Sequence, residues 1–412
     1  MFDLELKWDR PARAGNNDTK HVLRIRVQPR QGGRSLPLRL AVALDTSGSM
    51  DGAKLEGART ACLTVAEQLR PQDRLSLAAF STTVQPLLAG QAGGPGAQAE
   101  VRRAIGSLTA AGITRTELAL EWILKALPRE AGVARVGILI SDGHATDAAG
   151  KKLTDTAPLV ASASGIGQAG VTLCAVGLGS AKQFDTTFLT DLADHGRGAF
   201  LFADGATTLS GELQQQLGVA QSVGVSDARL TVAVRKAGLR VAEACVAQPE
   251  FRPLEWSEGQ GSQSAGVGDL AAAQPTDLLL RVTAPPGGFG APTGPQEVLQ
   301  VAVEGGGASA AATASLEWAA SLTRGQTVND DVERERNEWD MRLYADLVQR
   351  ATDPHHTAEL LQAQATAAAA AGRPEIAASA TGQLEDLRKT GNLDLDRSTR
   401  TLAAGRKQGG NA

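Results

Sequence analysis

The sequence is short of cysteine, short of net charge and without a long apolar run, and each shortage removes a class of protein. Its 412 residues hold three cysteines, Cys62, Cys174 and Cys245. They show no metal-ligand spacing, and a disulfide scaffold is not expected from an odd, scattered set. Such a set suits reduced, buried thiols in a cytoplasm. No apolar stretch approaches the ~20 residues that a membrane-spanning helix needs. The opening MFDLELKWDR is charged and alternating, with no basic region followed by an apolar one, so no signal peptide is expected. Net charge is -4. With no Lys/Arg stripe in view, that balance gives no footprint for nucleic acid.

What remains is the composition of a globular protein, 42% hydrophobic and 21% charged. The length exceeds one ordinary core and predicts two or three domains. Phe2, Leu4, Leu6 and Trp8 alternate with charged residues, as do Leu23, Ile25 and Val27, and each set predicts a half-buried strand. From about Leu38 the pattern changes. LRLAVALD and RVGILISDG are nearly continuous apolar runs, as expected of strands covered on both faces. Helical stripes separate them, such as Leu55, Ala58, Cys62, Val65 and Leu69. Strands alternating with helices predict a doubly wound, parallel α/β sheet.

After Val225 the period returns to two, in sets such as Leu278, Leu280, Val282 and Leu299, Val301, Val303. These predict an antiparallel β-sandwich, with the Gly-rich PPGGFGAPTGP as one of its turns. A lone hairpin is marginal in water, so the N-terminal strands are expected to join the later ones, leaving the α/β unit inserted in the sandwich. From Asn329 the pattern is helical, and the tail is expected to be loose. The expected divisions are 1–34 for the first sandwich strands, 35–222 for the α/β domain, 223–322 for the sandwich, 323–395 for a helical segment and 396–412 for a flexible tail.

Chemistry concentrates at Asp45-Thr46-Ser47-Gly48-Ser49, where the first α/β strand ends. In open α/β sheets, ligands bind at the carboxyl ends of the strands. Residues two apart in an extended loop point the same way, so Asp45, Ser47 and Ser49 can converge. Their hard oxygens suit Mg²⁺, or Mn²⁺ or Ca²⁺, and disfavour soft metals. Asp142 closes ILISDG at the same edge, and Thr114 stands in the loop AGITRTEL.

These three segments together resemble the metal-ion-dependent adhesion site of the von Willebrand factor A family, over roughly Leu38 to Val219. The resemblance implies a Rossmann-like fold with Ser47, Ser49 and Thr114 as direct hydroxyl ligands, and Asp45 and Asp142 holding the ion mainly through waters. The family's usual Gly-Gly-Thr is here Gly112-Ile113-Thr114, and Thr116 is the alternative ligand. The whole layout more loosely resembles bacterial proteins of the calcium-activated-chloride-channel-like and inter-alpha-trypsin-inhibitor-like types, on stretches such as LRPQDRLSLAAF and VTLCAVGLGS. Few carboxylates near the ion would leave it electrophilic, ready for an Asp or Glu of a partner protein.

The expectation is therefore a cytoplasmic, cation-dependent protein-interaction module and not an enzyme. A metal-dependent hydrolase would need a base, for which His144 and Asp147 are the nearby candidates. A third reading leaves the site idle and gives binding to the sandwich or the helices. His195 reads as a helix end, His355 and His356 with Asp353 as an exposed helix start, and Trp339 with Tyr344 as core.

Overall fold

The alternation at the start of the chain forms β1 (Phe2–Trp8), a two-residue β2 (Ala12–Arg13) and β3 (Thr19–Pro29). β1 and β3 pair antiparallel, from Phe2 opposite Pro29 to Trp8 opposite Leu23. The computed structural model describes residues 2–30, 34–142, 144–180, 182–259, 261–286 and 293–406. The chain divides into two units: Arg34–Asp227, and Met1–Gly33 together with Ala228–Ala412.

The first of these units is the α/β domain. β4 (Leu38–Asp45) leads through a 3-10 turn, Gly48–Met50, into α1 (Ala53–Gln68). β5 (Arg74–Phe80), β6 (Val84–Ala92), α2 (Ala97–Ile105), α3 (Thr116–Ala126) and β7 (Ala134–Ser141) follow. The unit closes with α4 (Ala157–Gln168), β8 (Thr172–Leu178), α5 (Thr186–His195), β9 (Arg197–Ala203) and α6 (Ala206–Gln221). The sheet order is β6-β5-β4-β7-β8-β9. All neighbours are parallel except β5 and β6. The sheet is thus mixed: VQPLLAG is part of an antiparallel edge strand, where Pro86 is tolerated.

Period-two packing decides which helix covers which face. Leu38, Leu40, Val42 and Leu44 of β4, with Val136, Ile138 and Ile140 of β7, pack against Leu55, Cys62 and Val65 of α1 and Leu209, Leu213 and Leu217 of α6. On the other face, α3 comes so close that a Cβ on Gly137 would lie 2.5 Å from Ile123 Cγ2. The chain winds from β4 outward to β5 and β6, then returns to β7 on the other side of β4. The switch point of the sheet is therefore between β4 and β7.

The second unit resumes with β10 (Val223–Val234), β11 (Arg240–Gln248), β12 (Arg252–Leu254) and β13 (Ser257–Gly259). It continues with β14 (Ser262–Ala271), β15 (Thr276–Ala284), β16 (Gly294–Gly305) and β17 (Ala308–Trp318). Two sheets result, β1-β3-β15-β11-β12 and β13-β14-β10-β16-β17-β2. β3 pairs with β15, from Val27 opposite Thr276 to Thr19 opposite Ala284, so the N-terminal strands do join the later ones. Trp8 Nε1 donates to the Ser315 carbonyl at 2.8 Å and ties one sheet to the other. Most of the PPGGFGAPTGP turn lies outside the described residues.

The helices are α7 (Leu322–Gly325), α8 (Asp330–Arg350), α9 (Pro354–Ala370), α10 (Pro374–Thr390) and α11 (Leu395–Arg406). No described helix is long and apolar enough to cross a membrane. Trp339 of α8 is core, packed with Val22, Cys245 and Leu279. α11 corrects one expectation, because the supposed flexible tail from 396 is helical to Arg406. Leu402 and Thr399 are buried, and the buried Arg342 of α8 donates from Nε to the Gly405 carbonyl at 2.6 Å. Arg342 also donates to the Ala247 carbonyl at 3.1 Å and to Glu338 Oε2 at 3.1 Å. Polarity misled the sequence reading here, since the helix supplies a carbonyl acceptor as well as apolar surface. A chain ending at Asp394 takes the Gly405 acceptor from that guanidinium and exposes the apolar surface beneath α11. Its unfolding free energy in urea should fall by about 3 kcal/mol, whereas Arg103→Ala, at an exposed pair with Glu100, should change it by less than about 1 kcal/mol.

Candidate metal centre

β4 delivers Asp45 to the carboxyl edge beside the switch point, and the loop that follows is tied down on both sides. Thr46 donates from its amide and its hydroxyl to the Phe80 carbonyl, at 2.8 and 3.2 Å. The Ala111 amide donates to the Thr46 carbonyl at 2.8 Å, and the Gly48 amide to the Gly112 carbonyl at 3.1 Å. Met50 anchors the turn from below, with no exposed surface. Gly52, at φ +75°, then swings the chain into α1.

The loop brings Asp45, Ser47, Ser49 and Asp142 into one chain of oxygen contacts. Asp45 Oδ1 accepts from the Ser47 amide at 2.7 Å. Ser47 Oγ lies 3.1 Å from Ser49 Oγ, and Ser49 Oγ donates to Asp142 Oδ1 at 2.7 Å. Two further residues, missed in the sequence, complete the arrangement. Ser141 Oγ donates to Asp45 Oδ2 at 2.6 Å. Lys54 Nζ donates to Asp142 Oδ2 at 2.5 Å and to the Ser49 carbonyl at 3.4 Å. Ser141 was legible as the hydroxyl before Asp142 in ISDG, whereas Lys54 carried no signal beyond its place in the first turn of α1.

Thr114 is buried in the neighbouring loop, and among the described residues its hydroxyl is not part of this chain of contacts. Its carbonyl accepts from the Thr146 amide and hydroxyl, at 2.9 and 3.1 Å, and from the Thr116 amide at 3.2 Å. Thr116 opens α3. Gly112, at φ +86°, cannot be replaced without conflict, as a Cβ there would sit 2.5 Å from Thr82 Oγ1. Ile113, the departure from Gly-Gly-Thr, is accommodated by a second glycine: a Cβ on Gly150 would lie 3.0 Å from Ile113 Cγ2.

The electrostatics single out Asp45. Six acidic side chains are buried among the described residues: Asp9, Asp45, Asp73, Asp142, Asp277 and Glu335. Asp9 faces Arg336, Asp73 faces Arg70, Asp142 faces Lys54, Asp277 faces Arg26 and Glu335 faces Arg24. Among the described residues, Asp45 alone of the six has no cationic partner. Burial pushes its carboxyl up to about 6, an effect that Ser141 and Ser47 offset only in part and that the Asp142 charge reinforces. An uncompensated buried carboxylate ringed by hydroxyls fits a hard divalent cation, which would be held by Asp45, Ser47, Ser49, Asp142 and Thr114.

The other candidates are accounted for. Asp147 Oδ1 accepts from the Ala149 and Lys151 amides, each at 2.9 Å, and shapes a turn. His144 Nε2 lies 3.3 Å from Lys152 Nζ, and burial with that charge pushes its pKa down. His195 Nδ1 bonds the Asp191 carbonyl at 2.8 Å at the end of α5. Asp353 caps α9 by accepting from the His356 amide at 2.7 Å, while His355 and His356 are exposed near Glu359. No group of three or more His, Cys, Asp or Glu is placed to hold a metal among the described residues. The candidate centre therefore depends on hydroxyls.

A doubly wound sheet with an Asp-Thr-Ser-Gly-Ser turn at its switch point defines a class of α/β binding domain. The family model described as von Willebrand factor type A domain matches residues 40–216, and the chain contains such a domain. Domains of this family are generally metal-dependent protein-interaction modules. An uncharacterized protein of Synechocystis sp. is 34% identical over 135 residues, 32% of this chain and 31% of that protein. The match thus spans about a third of that relative's length. Among solved structures, a von Willebrand factor type A protein from Catenulispora acidiphila superposes with a TM-score of 0.79 at 15% identity, covering 99% of this chain and 97% of that one. The ArnB paralog VWA2 from Sulfolobus acidocaldarius gives 0.65 at 18% identity, covering 99% and 100%. At these identities the likeness is one of fold, and it extends over the whole chain.

The raised Asp45 pKa has a defined sign. Between the unfolded value of 3.8 and about 6, the folded chain holds a proton that the unfolded chain has released, so stability falls as pH rises through that window. With divalent ions removed, Asp45→Asn should be more stable than the native chain at pH 7.5, by about 3 kcal/mol, since the rise from 3.8 to about 6 is roughly two pKa units, each worth about 1.4 kcal/mol. The advantage should vanish near pH 4. Urea unfolding at the two pH values measures both quantities.

Proposed function

We propose that the chain binds a divalent cation of the Mg²⁺ or Mn²⁺ kind at Asp45, Ser47, Ser49, Thr114 and Asp142, and uses it to capture an Asp or Glu carboxylate of a partner protein. The observation that carries this reading is Asp45, the buried acid without a countercharge, surrounded by hydroxyl oxygens. Serine and threonine ligands bring no charge, so a divalent ion held there keeps net positive charge. That charge favours an incoming carboxylate over water, in a contact strengthened by the low dielectric around Asp45.

The reading assigns the chain no catalytic step. Asp147, the nearest carboxylate offered as a base, already accepts two backbone amides. The work is that of a scaffold or adaptor. The three buried cysteines support a cytoplasmic setting, where reduced thiols are the rule.

Manganese titration followed by electron paramagnetic resonance tests the site directly. The native chain should bind one Mn²⁺, competed by Mg²⁺, and Asp45→Ala and Ser47→Ala should each lose at least about tenfold in affinity. Capture from native lysate should then yield a partner in Mg²⁺ that is released by EDTA and missed by Asp45→Ala. Native affinity for Mn²⁺ in the Asp45→Ala chain would overturn the proposal.

A further inference from the structure

The two buried carboxylates of the site are treated differently. Asp45 meets the Ser47 amide and the hydroxyls of Ser141 and Ser47, all uncharged, while Asp142 carries a built-in cation, Lys54. Asp142 is fully buried and the Lys54 side chain is 23% exposed, so the lysine reaches inward from the rim. Its path is provided for. Gly179 stands at φ +100°, and a Cβ there would lie 3.3 Å from Lys54 Cε and 3.6 Å from Nζ, and 2.7 Å from Gln183 Oε1. A side chain at position 179 would therefore crowd the end of the lysine. The ammonium holds Asp142 Oδ2, and Ser49, a candidate ion ligand, holds Oδ1 of the same carboxylate.

We infer that Lys54 is a tethered cation that sets the divalent-ion affinity of the site by competing for Asp142. The inference rests on the metal-site reading under Proposed function and adds a positioning residue to it. An ammonium and a divalent ion that share one carboxylate repel each other, and less negative charge is left for the ion. The ion-free site is kept intact, because Asp142 is never left buried and bare. The ion is held loosely until a partner carboxylate restores the negative charge that Lys54 cancels. Ion and partner then raise each other's affinity, as linkage requires.

Lys54→Met and Lys54→Gln, compared with Lys54→Arg, test this by Mn²⁺ titration and thermal unfolding of the full chain. Removing the charge should tighten Mn²⁺ binding about tenfold, the sign expected when a like charge leaves an ion site. In EDTA the two neutral variants should melt below the native chain, and saturating Mn²⁺ should raise their Tm by more than it raises the native value. Lys54→Arg, which keeps the charge, should stay nearer the native chain in both measurements. Unchanged or weaker Mn²⁺ affinity in both neutral variants overturns the inference while leaving the metal site standing. A lowered Tm that Mn²⁺ does not recover also overturns it, and reduces Lys54 to a structural ion pair. If neither the native chain nor any variant binds Mn²⁺, the metal-site reading fails and takes this inference with it.

Discussion

Two carboxylates buried at the end of one sheet are the constraint on which the α/β unit turns. Asp45 and Asp142 have no exposed surface, and a buried acid demands donors or countercharge around it. Ser47 turns its amide back onto Asp45, Ser141 lends it a hydroxyl, and Ser49 and Lys54 divide the two oxygens of Asp142. These demands explain why the loop after β4 is short, clasped and rich in small residues. An apolar residue at 49 would leave Asp142 Oδ1 without its hydroxyl donor.

The sheet supplies the room. The β4–β7 pairing ends at Leu44 opposite Ile140, one residue short of Asp45 and Ser141. On its other side, Asp45 still pairs with Phe80 of β5. Beyond that point the chain leaves β4 and β7 by separate loops, and a third loop, at 111–115, closes over the first through Gly48 and Gly112. A parallel sheet can open such a crevice only where its winding reverses. The apolar runs that make β4 and β7 are thus what place two acids side by side.

Much of this was legible in the sequence. Period-two and continuous apolar runs separated the sandwich strands from the α/β strands, because burial on one face or on two writes a different pattern. The argument that a lone hairpin is marginal correctly joined β3 to β15. The site was legible where side chains two apart share a direction, as at Asp45, Ser47 and Ser49. It was not legible where the partner comes from elsewhere. Lys54 looks like any helix-surface lysine until the fold sets Asp142 beneath it, and α11 looks like a polar tail until Arg342 seeks the Gly405 carbonyl. The antiparallel β6 was missed because Pro86 and its exposed face suppress the strand signal at an edge.

The same chain offers a second way to bury an acid, and the contrast defines the site. In the sandwich unit, Asp277 is gripped by both ends of the Arg26 guanidinium, at 2.8 and 2.7 Å, and Glu335 meets Arg24 at 3.1 Å. A guanidinium fork occupies both carboxylate oxygens in fixed geometry and leaves nothing for a ligand to complete. The arginine next to Thr114, Arg115, turns instead to Glu117. Hydroxyls and one flexible lysine surround Asp45 and Asp142 in its place. Each retains lone pairs or can move aside, which is the property the proposed cation site requires.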